Sequence, residues 1–161
     1  MSITNIEDQS NRYQIIWDLC RRCSYACTYC PPHRNNKWSP FLDYKKLCDT
    51  VDKVAEYALL YDEFRKEPAL KKLSFTGGEP TVHPDFFRFL KYVKNTYPFF
   101  SRGLTTNGWF HDSVLDKVMS LTTGGTLSYH CESTEKQKKQ VVKNAIALRE
   151  KFKVNVMFHK D

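Results

Sequence analysis

Four of the six cysteines in this 161-residue chain lie within eleven consecutive residues, whereas Cys48 and Cys131 stand alone. Within the group, three residues separate Cys23 from Cys27 and two separate Cys27 from Cys30. Clustered thiols in a chain whose first residues lack the features of a signal peptide favour a metal site over a disulfide framework. Three thiolates from one short loop would bind three irons of a [4Fe–4S] cluster and leave the fourth iron open for a substrate or cofactor.

Cys20 allows a second interpretation of the same segment. With it the spacing becomes C-x2-C-x3-C-x2-C, which a structural zinc site uses with four thiolates. The zinc interpretation gives no role to the Gly-Gly-Glu-Pro sequence at residues 77–80. If the cluster interpretation holds, Cys20 ends the first strand and we expect it to pack inward. We expect Cys48 and Cys131 to be small buried apolar side chains.

Segments with strand and helix character alternate along the chain and must position these cysteines. Runs of β-branched and aromatic residues predict five strands, over residues 13–19, 71–76, 103–106, 126–130 and 154–158. Apolar residues at helical spacing predict four helices between them. The faces expected to be buried are Leu47, Val51, Val54, Ala55, Ala58 and Leu59 in the first helix, Phe86, Phe89, Leu90 and Val93 in the second, Leu115, Val118 and Met119 in the third, and Val141, Ala145 and Leu148 in the fourth. Thr134 and Gln137 predict a capping box at the start of the fourth helix.

This alternation predicts an α/β fold of parallel βαβ units in one domain, residues 1–161, with residues 1–11 as an N-terminal extension. Ligand sites in such sheets lie at the C-terminal ends of the strands. The cysteine loop, the turn at residues 77–80, the Asn107-Gly108 turn and residues 130–132 each follow a predicted strand. We therefore expect them at one rim, where His130 and Glu132 are candidate catalytic residues.

The motifs together resemble the radical SAM superfamily in order and content. They are the three cysteines with Tyr29 before the third, Gly-Gly-Glu-Pro after the second strand, and Thr-Thr-Asn-Gly after the third. The resemblance covers residues 12–161 and implies a partial (βα) barrel of parallel strands, with about five strands and four helices here. In this family the open iron binds the amino and carboxylate groups of S-adenosylmethionine. An electron from the cluster then cleaves it to methionine and a 5′-deoxyadenosyl radical, which abstracts a hydrogen atom from the substrate.

By position, the resemblance implies that Cys23, Cys27 and Cys30 are the cluster ligands. It also implies contacts to S-adenosylmethionine from Tyr29 near the adenine, from Gly77, Gly78 and Glu79 at the methionine amino group, and from Thr106, Asn107 and Ser128 at the ribose and carboxylate. Glycines let the backbone approach a ligand closely, and a carboxylate accepts hydrogen bonds from an ammonium group. The loop residues His33, Arg34 and Trp38 are candidates for shaping the mouth of the pocket.

Composition restricts the partners. The formal charge of +7 arises in part from the basic run at residues 136–139. We predict that this run lies on the solvated face of a helix. We therefore do not expect nucleic-acid binding, and the charge mildly favours a substrate with phosphate or carboxylate groups. No stretch approaches the roughly 20 apolar residues of a membrane span, so we expect no membrane partner and a cytoplasmic location.

The resemblance leaves the end of the barrel open. The family core has six βα units, so a fifth strand without a neighbour would expose a sheet edge. We therefore expect the chain either to pair with another copy or a partner, or to be a shortened version of a longer protein. In function it is either an enzyme whose pocket is minimal or completed by another chain, or a cluster-binding scaffold or split-enzyme subunit that acts only in a complex. The resemblance implies a reducing partner such as flavodoxin or ferredoxin. The substrate, a small molecule or a peptide, is not indicated.

Overall fold

The computed structural model describes residues 12–31 and 36–158. In this part of the chain strands and helices alternate as predicted. They are β1 (Arg12–Cys20), α1 (Tyr44–Arg65), β2 (Leu70–Gly77), α2 (Phe86–Thr96), β3 (Ser101–Thr106), α3 (Asp112–Leu121), β4 (Gly124–His130), α4 (Glu135–Leu148) and β5 (Phe152–Met157). A short 3-10 helix, Pro80–Val82, follows β2. The predicted N-terminal extension lies outside the described residues.

The strands form one parallel sheet in the order β1-β2-β3-β4-β5. Every crossover therefore moves to the next strand in the same direction. Because such crossovers are right-handed, all four helices lie on one face of the sheet. The opposite face is left free of helices, as in the interior of a (βα) barrel, and the predicted α/β partial-barrel fold is confirmed.

The core lies between the sheet and the helices. Strand residues that alternate in sequence face the helices, and Leu73, Phe75, Leu104 and Leu127 are almost fully buried. Phe75 packs edge-to-face against Phe86, with ring centroids 5.6 Å apart. The face predicted for the second helix is buried throughout, and the capping box at Thr134 forms as predicted. None of the helices in the described ranges is long and apolar enough to cross a membrane.

Some predicted core positions are exposed. Leu59 and Met119 are 50% and 40% exposed, because each lies one position beyond the narrow stripe that its helix buries. Cys48 and Cys131, predicted to be buried, are only partly so. In α4, Asn144 rather than Ala145 is fully buried, and its amide donates to the carbonyl oxygens of Gly108 at 2.7 Å and Phe110 at 2.9 Å.

His83 joins the turn after β2 to the loop before α1. Its side chain is buried, Nε2 donates to the Leu42 carbonyl at 3.0 Å, and Nδ1 accepts from the Asp85 N–H at 3.2 Å. These two bonds use the neutral tautomer. Burial lowers the pKa of His83 below its ordinary value, with the Leu42 carbonyl and Asp85 opposing it.

We expect the stability of the cluster-free protein to fall in mild acid because of His83. The unfolded chain protonates this residue near the ordinary pKa of about 6.5, whereas the folded chain resists protonation. The free energy of unfolding should therefore decrease as the pH falls below about 6.5, until the lower folded pKa is passed. His83→Ala should cost about 1–3 kcal/mol at about pH 7.5 and weaken this pH dependence. Urea titrations at about pH 7.5 and 5.5 measure both effects, with the exposed His111→Ala as control; an unchanged pH dependence in His83→Ala would contradict the prediction.

Candidate functional site

A cavity of about 310 Å³ opens at the C-terminal ends of the strands. It is lined by parts of the loop after β1, the turn after β2 and the ends of β3 and β4. Of the residues predicted from the sequence, the lining includes Cys23, Cys27, Tyr29, Cys30, Gly77, Gly78, Thr106, Asn107, Ser128 and His130. The rim predicted from the sequence therefore contains a cavity. Among the residues predicted to bind a cofactor or to take part in catalysis, Glu79 and Glu132 do not line it.

The three cysteines of the loop are free and half-buried. Cys23 Sγ accepts hydrogen bonds from the Tyr25 N–H at 3.4 Å and from Asn107 Nδ2 at 3.8 Å. Burial raises the pKa of the Cys23 thiol to about 11. Because a metal binds the thiolate, loading the site must release the protons of these thiols.

The donor set fits a polynuclear cluster better than a single ion. Among the described residues, no three His, Cys, Asp or Glu side chains are close enough to hold one metal ion. The thiols of Cys23, Cys27 and Cys30 instead lie around one shared cavity. Soft thiolates at separate points suit an iron–sulfur cluster, whose irons occupy different corners.

Cys20 points away from this cavity. It is buried as predicted, and its thiol donates to the carbonyl oxygens of Glu79 at 3.5 Å and Arg22 at 3.6 Å. Burial raises its pKa to about 11. The zinc interpretation therefore loses its fourth thiolate.

Gly77 and Gly78 hold the start of the cysteine loop by close backbone contacts. The Gly78 N–H donates to the Cys20 carbonyl at 2.7 Å, and the next N–H along the chain donates to the Arg22 carbonyl at 2.8 Å. A Cβ at Gly77 would lie 2.3 Å from the Cys20 oxygen, and one at Gly78 would lie 2.3 Å from the Arg22 oxygen. Gly77 also has a φ of 130°, which other residues rarely adopt. The atoms that these glycines present to the cavity are therefore backbone atoms.

Glu79, predicted to contact S-adenosylmethionine, is held by a network of hydrogen bonds. It is 1% exposed and its carboxylate faces the protein behind the cavity wall. Oε1 accepts from the Thr81 N–H at 3.1 Å, from the Thr81 hydroxyl at 2.7 Å and from the Thr106 hydroxyl at 2.9 Å, and Oε2 accepts from the Asn107 N–H at 2.7 Å. Burial raises its pKa even though these donors oppose the shift. The carboxylate thus fastens the turn after β2 to the end of β3.

Asn107 connects this network to the cysteine loop. Its Oδ1 accepts from the Trp109 N–H at 2.9 Å, and its Nδ2 donates to Ser24 Oγ at 2.9 Å as well as to Cys23 Sγ. N–H groups that donate to a cluster sulfur are among the features that set the reduction potential of a cluster. The amide is therefore held at both ends between β3 and the cysteine loop.

His130 lies in the cavity between two tyrosines. Its Nδ1 contacts the Tyr29 hydroxyl and lies 3.4 Å from Cys27 Sγ. The Tyr29 and His130 rings are parallel with centroids 5.9 Å apart, and Tyr25 meets His130 edge-on at 5.3 Å. Burial lowers the pKa of His130, with Glu132 opposing the shift, so burial favours the neutral imidazole.

Glu132, a predicted catalytic residue, lies outside the cavity and supports the cysteine loop. Its carboxylate accepts from the Thr28 N–H at 2.9 Å and from the Thr28 hydroxyl. The residue sits just before α4, so it ties the loop to the start of that helix.

Several residues that line the cavity are not predicted from the sequence. They are Tyr25, Pro31, Thr76, Thr105 and Met157. The two-residue period of the strands was the available signal, because Thr76 and Thr105 point to the face of the sheet opposite the helices. His33 and Arg34 lie outside the described residues, and Trp38 is 89% exposed and does not line the cavity.

Fold and site together define a protein with a parallel βα sheet and a loop of three free cysteines at its C-terminal rim. The family model of the radical SAM superfamily matches residues 17–157, and the chain belongs to this superfamily. The superfamily consists of enzymes whose cofactors are a [4Fe–4S] cluster and S-adenosylmethionine, and the donor set described above fits both.

Curated relatives include the GTP 3',8-cyclases. The chain is 27% identical over 100 residues to that of Sulfurimonas denitrificans, which covers 62% of this chain and 29% of the relative. It is 27% identical over 141 residues to that of Aquifex aeolicus, covering 84% and 40%. The chain thus spans less than half the length of these relatives. Among solved structures, BtrN in complex with AdoMet and 2-DOIA matches with a TM-score of 0.68 and 18% identity, over 90% of this chain and 56% of that one.

Proposed function

We propose that Cys23, Cys27 and Cys30 hold a [4Fe–4S] cluster and that S-adenosylmethionine occupies the adjoining cavity of about 310 Å³. The cluster supplies the electron that cleaves S-adenosylmethionine to methionine and a 5′-deoxyadenosyl radical for hydrogen-atom abstraction. One observation carries this proposal: three free thiols of one loop line the same cavity as the half-buried Gly77 and Gly78.

The chain's own residues bind and orient the cofactor in this proposal. The backbone of Gly77 and Gly78 contacts the methionine amino group, in the role that the sequence assigned to the Glu79 carboxylate. Asn107 and Ser128 offer an amide and a hydroxyl at the cavity wall for the carboxylate and ribose. Thr106 lines the wall too, but its hydroxyl is already donated to Glu79.

Tyr29 and His130 form the opposite side of the cavity. Their parallel rings present a flat surface suited to the adenine, and the contact between the Tyr29 hydroxyl and Nδ1 of the histidine sets the orientation of both. His130 remains the catalytic candidate, because its side chain lines the cavity and a neutral imidazole can accept or donate a proton there. Glu132 acts indirectly, by positioning the loop through Thr28.

The reaction partners follow from the same chemistry. A one-electron donor such as flavodoxin or ferredoxin would reduce the cluster. The relatives named GTP 3',8-cyclase act on a nucleotide, which together with the basic charge favours a small anionic substrate over a peptide. No nucleic-acid or membrane partner is part of the proposal.

A second function, as a scaffold or split-enzyme subunit, is favoured by the free side of β5. Val154 and Val156 on this strand are each 49% exposed, and the nearby helix residues Val142 and Ile146 are also exposed. Within the described residues β5 pairs with β4 alone, and a strand edge with exposed valines is a surface that another element commonly covers. In this second function another copy or a partner chain covers it and completes the pocket.

Anaerobic reconstitution tests both functions. The dithionite-reduced chain should give the EPR signal of a [4Fe–4S] cluster, and S-adenosylmethionine should change that signal because it binds the open iron. Chromatography should then detect 5′-deoxyadenosine above a control without reductant. A cluster signal that responds to S-adenosylmethionine without cleavage would favour the subunit, and light scattering would give its oligomeric state. A signal that S-adenosylmethionine leaves unchanged would contradict the enzyme proposal.

A further inference from the structure

A second cavity, of about 390 Å³, lies on the helix-free face of the sheet. It sits over the N-terminal halves of β2 to β5, and its lining includes Lys72, Ser74, Gly103, Thr126 and Lys153. We call it the lower cavity. Thr105 lines both the lower cavity and the cofactor cavity, so the two adjoin.

Glycines, which have no side chain, form part of the lining and leave space in the lower cavity. Gly103, Gly124 and Gly125 all belong to its lining. A Cβ at Gly103 would lie 2.7 Å from the Ser74 Oγ and 3.3 Å from Cε of Lys72. The absence of a side chain at position 103 therefore leaves the space in which the Lys72 side chain crosses the sheet.

The lining is positively charged. Among the described residues, the side chains of Lys72 and Lys153 make no salt bridge or hydrogen bond, and no Asp or Glu lines the lower cavity. Lys151 contributes differently, because its ammonium donates to the Met119 carbonyl at 2.8 Å. Two lysines whose side chains have no counter-ion in the described part of the chain thus line one open cavity.

Hydroxyl donors complete the site. Ser74, Thr105 and Thr126 project into the lower cavity, and their hydroxyls have no hydrogen-bond partner within the described chain. Ammonium groups together with hydroxyl donors are the groups that proteins use to bind phosphate. An apolar ligand would leave all five unpaired, at a cost in affinity.

We propose that the lower cavity binds the phosphate of a small organic phosphate, the substrate of the enzyme proposed above. Lys72 and Thr76 lie four residues apart on β2, so the lysine and the cofactor cavity are about 13 Å apart along the strand. A sugar phosphate or nucleotide held by its phosphate at Lys72 and Lys153 would extend past Thr105 towards the cofactor. This inference rests on the proposed function where it identifies the bound phosphate compound as the substrate. Phosphate binding itself does not require the cluster.

Binding of two matched probes tests the site without any turnover. We would titrate the full chain with ribose 5-phosphate and with ribose, by calorimetry, in the cluster-free and in the reconstituted form. Ribose 5-phosphate should bind in both forms, and ribose should bind at least tenfold more weakly. Lys72→Gln and Lys153→Gln should each weaken ribose 5-phosphate binding about tenfold, since each removes one charged hydrogen-bond donor.

Lys136→Gln is the matched control. It removes the same charge from an exposed position on α4, on the other face of the sheet, and it should leave binding unchanged. Thermal unfolding of all variants shows whether each is folded. No ribose 5-phosphate binding by the folded chain, equal weakening in Lys136→Gln, or ribose binding as tight as that of its phosphate would each overturn the proposal. An intact EPR response to S-adenosylmethionine in a chain that binds no phosphate would refute this inference alone.

Discussion

Cys27→Ala is expected to lose the [4Fe–4S] cluster, whereas Cys20→Ala keeps it. Cys27 lines the cofactor cavity, and removing one of three thiolates leaves two, too few to hold the cluster. Cys20 belongs to the same cysteine group, but its thiol donates to the Arg22 carbonyl in the loop after β1 and to the Glu79 carbonyl in the turn after β2. The iron content after reconstitution should therefore fall at least tenfold in Cys27→Ala and stay within about twofold in Cys20→Ala.

The free energy of unfolding should differ between the two variants in the opposite order, with Cys20→Ala the less stable. Cys20→Ala removes a buried side chain and its hydrogen bonds and should lower the free energy of unfolding by about 1–3 kcal/mol. Cys27 is half-buried, so its replacement should cost the cluster-free chain less. Iron and sulfide analysis, EPR and urea unfolding measure these effects, with Cys48→Ala on α1 as a control thiol. Equal loss of iron from folded Cys20→Ala and Cys27→Ala would contradict the prediction and make Cys20 a fourth ligand.

The fold was largely predictable because its signals are local and repeated. The spacing of apolar residues predicted the buried face of α2, and the capping box at Thr134 predicted the start of α4. The order of strands and the right-handed crossovers then fix the rim at which the motif residues meet. The predicted burial of Leu59 and Met119 was wrong. Both lie at the border of the apolar stripe of a helix, and the width of the buried stripe depends on which neighbour covers it.

The sequence indicates which residues lie near the cavity, but not the direction in which each side chain points. A motif places Glu79 next to the cavity, yet the direction of its carboxylate depends on the 3-10 turn at Pro80–Val82 and on donors from β3, which lie far away in the sequence. The same holds for Glu132, whose partner Thr28 is 104 residues away. Lys72 and Lys153 carried no motif at all, and only the sheet brings them to one cavity.

Glu79→Gln is expected to destabilise the protein by about 1–3 kcal/mol, because the carboxylate accepts four hydrogen bonds in a buried site. Glutamine has nearly the same shape but replaces one acceptor oxygen with a donor. If the amide nitrogen takes the place of Oε2, it faces the Asn107 N–H; if it takes the place of Oε1, it faces the Thr81 N–H. Either orientation leaves one buried backbone N–H without a partner, whereas the threonine hydroxyls can rotate away.

The same variant decides how Glu79 contributes to cofactor binding. If its carboxylate supports the site through Thr106 and Asn107, Glu79→Gln should lower stability in the cluster-free chain and also weaken the binding of S-adenosylmethionine, because Asn107 is displaced from Cys23. If instead the carboxylate received the methionine ammonium group, binding would weaken with no loss of stability in the cluster-free chain. Urea unfolding and the concentration of S-adenosylmethionine that half-saturates the EPR change measure the two effects separately. Glu56→Gln, at an exposed position on α1, is the control and should change the stability by less than about 0.5 kcal/mol.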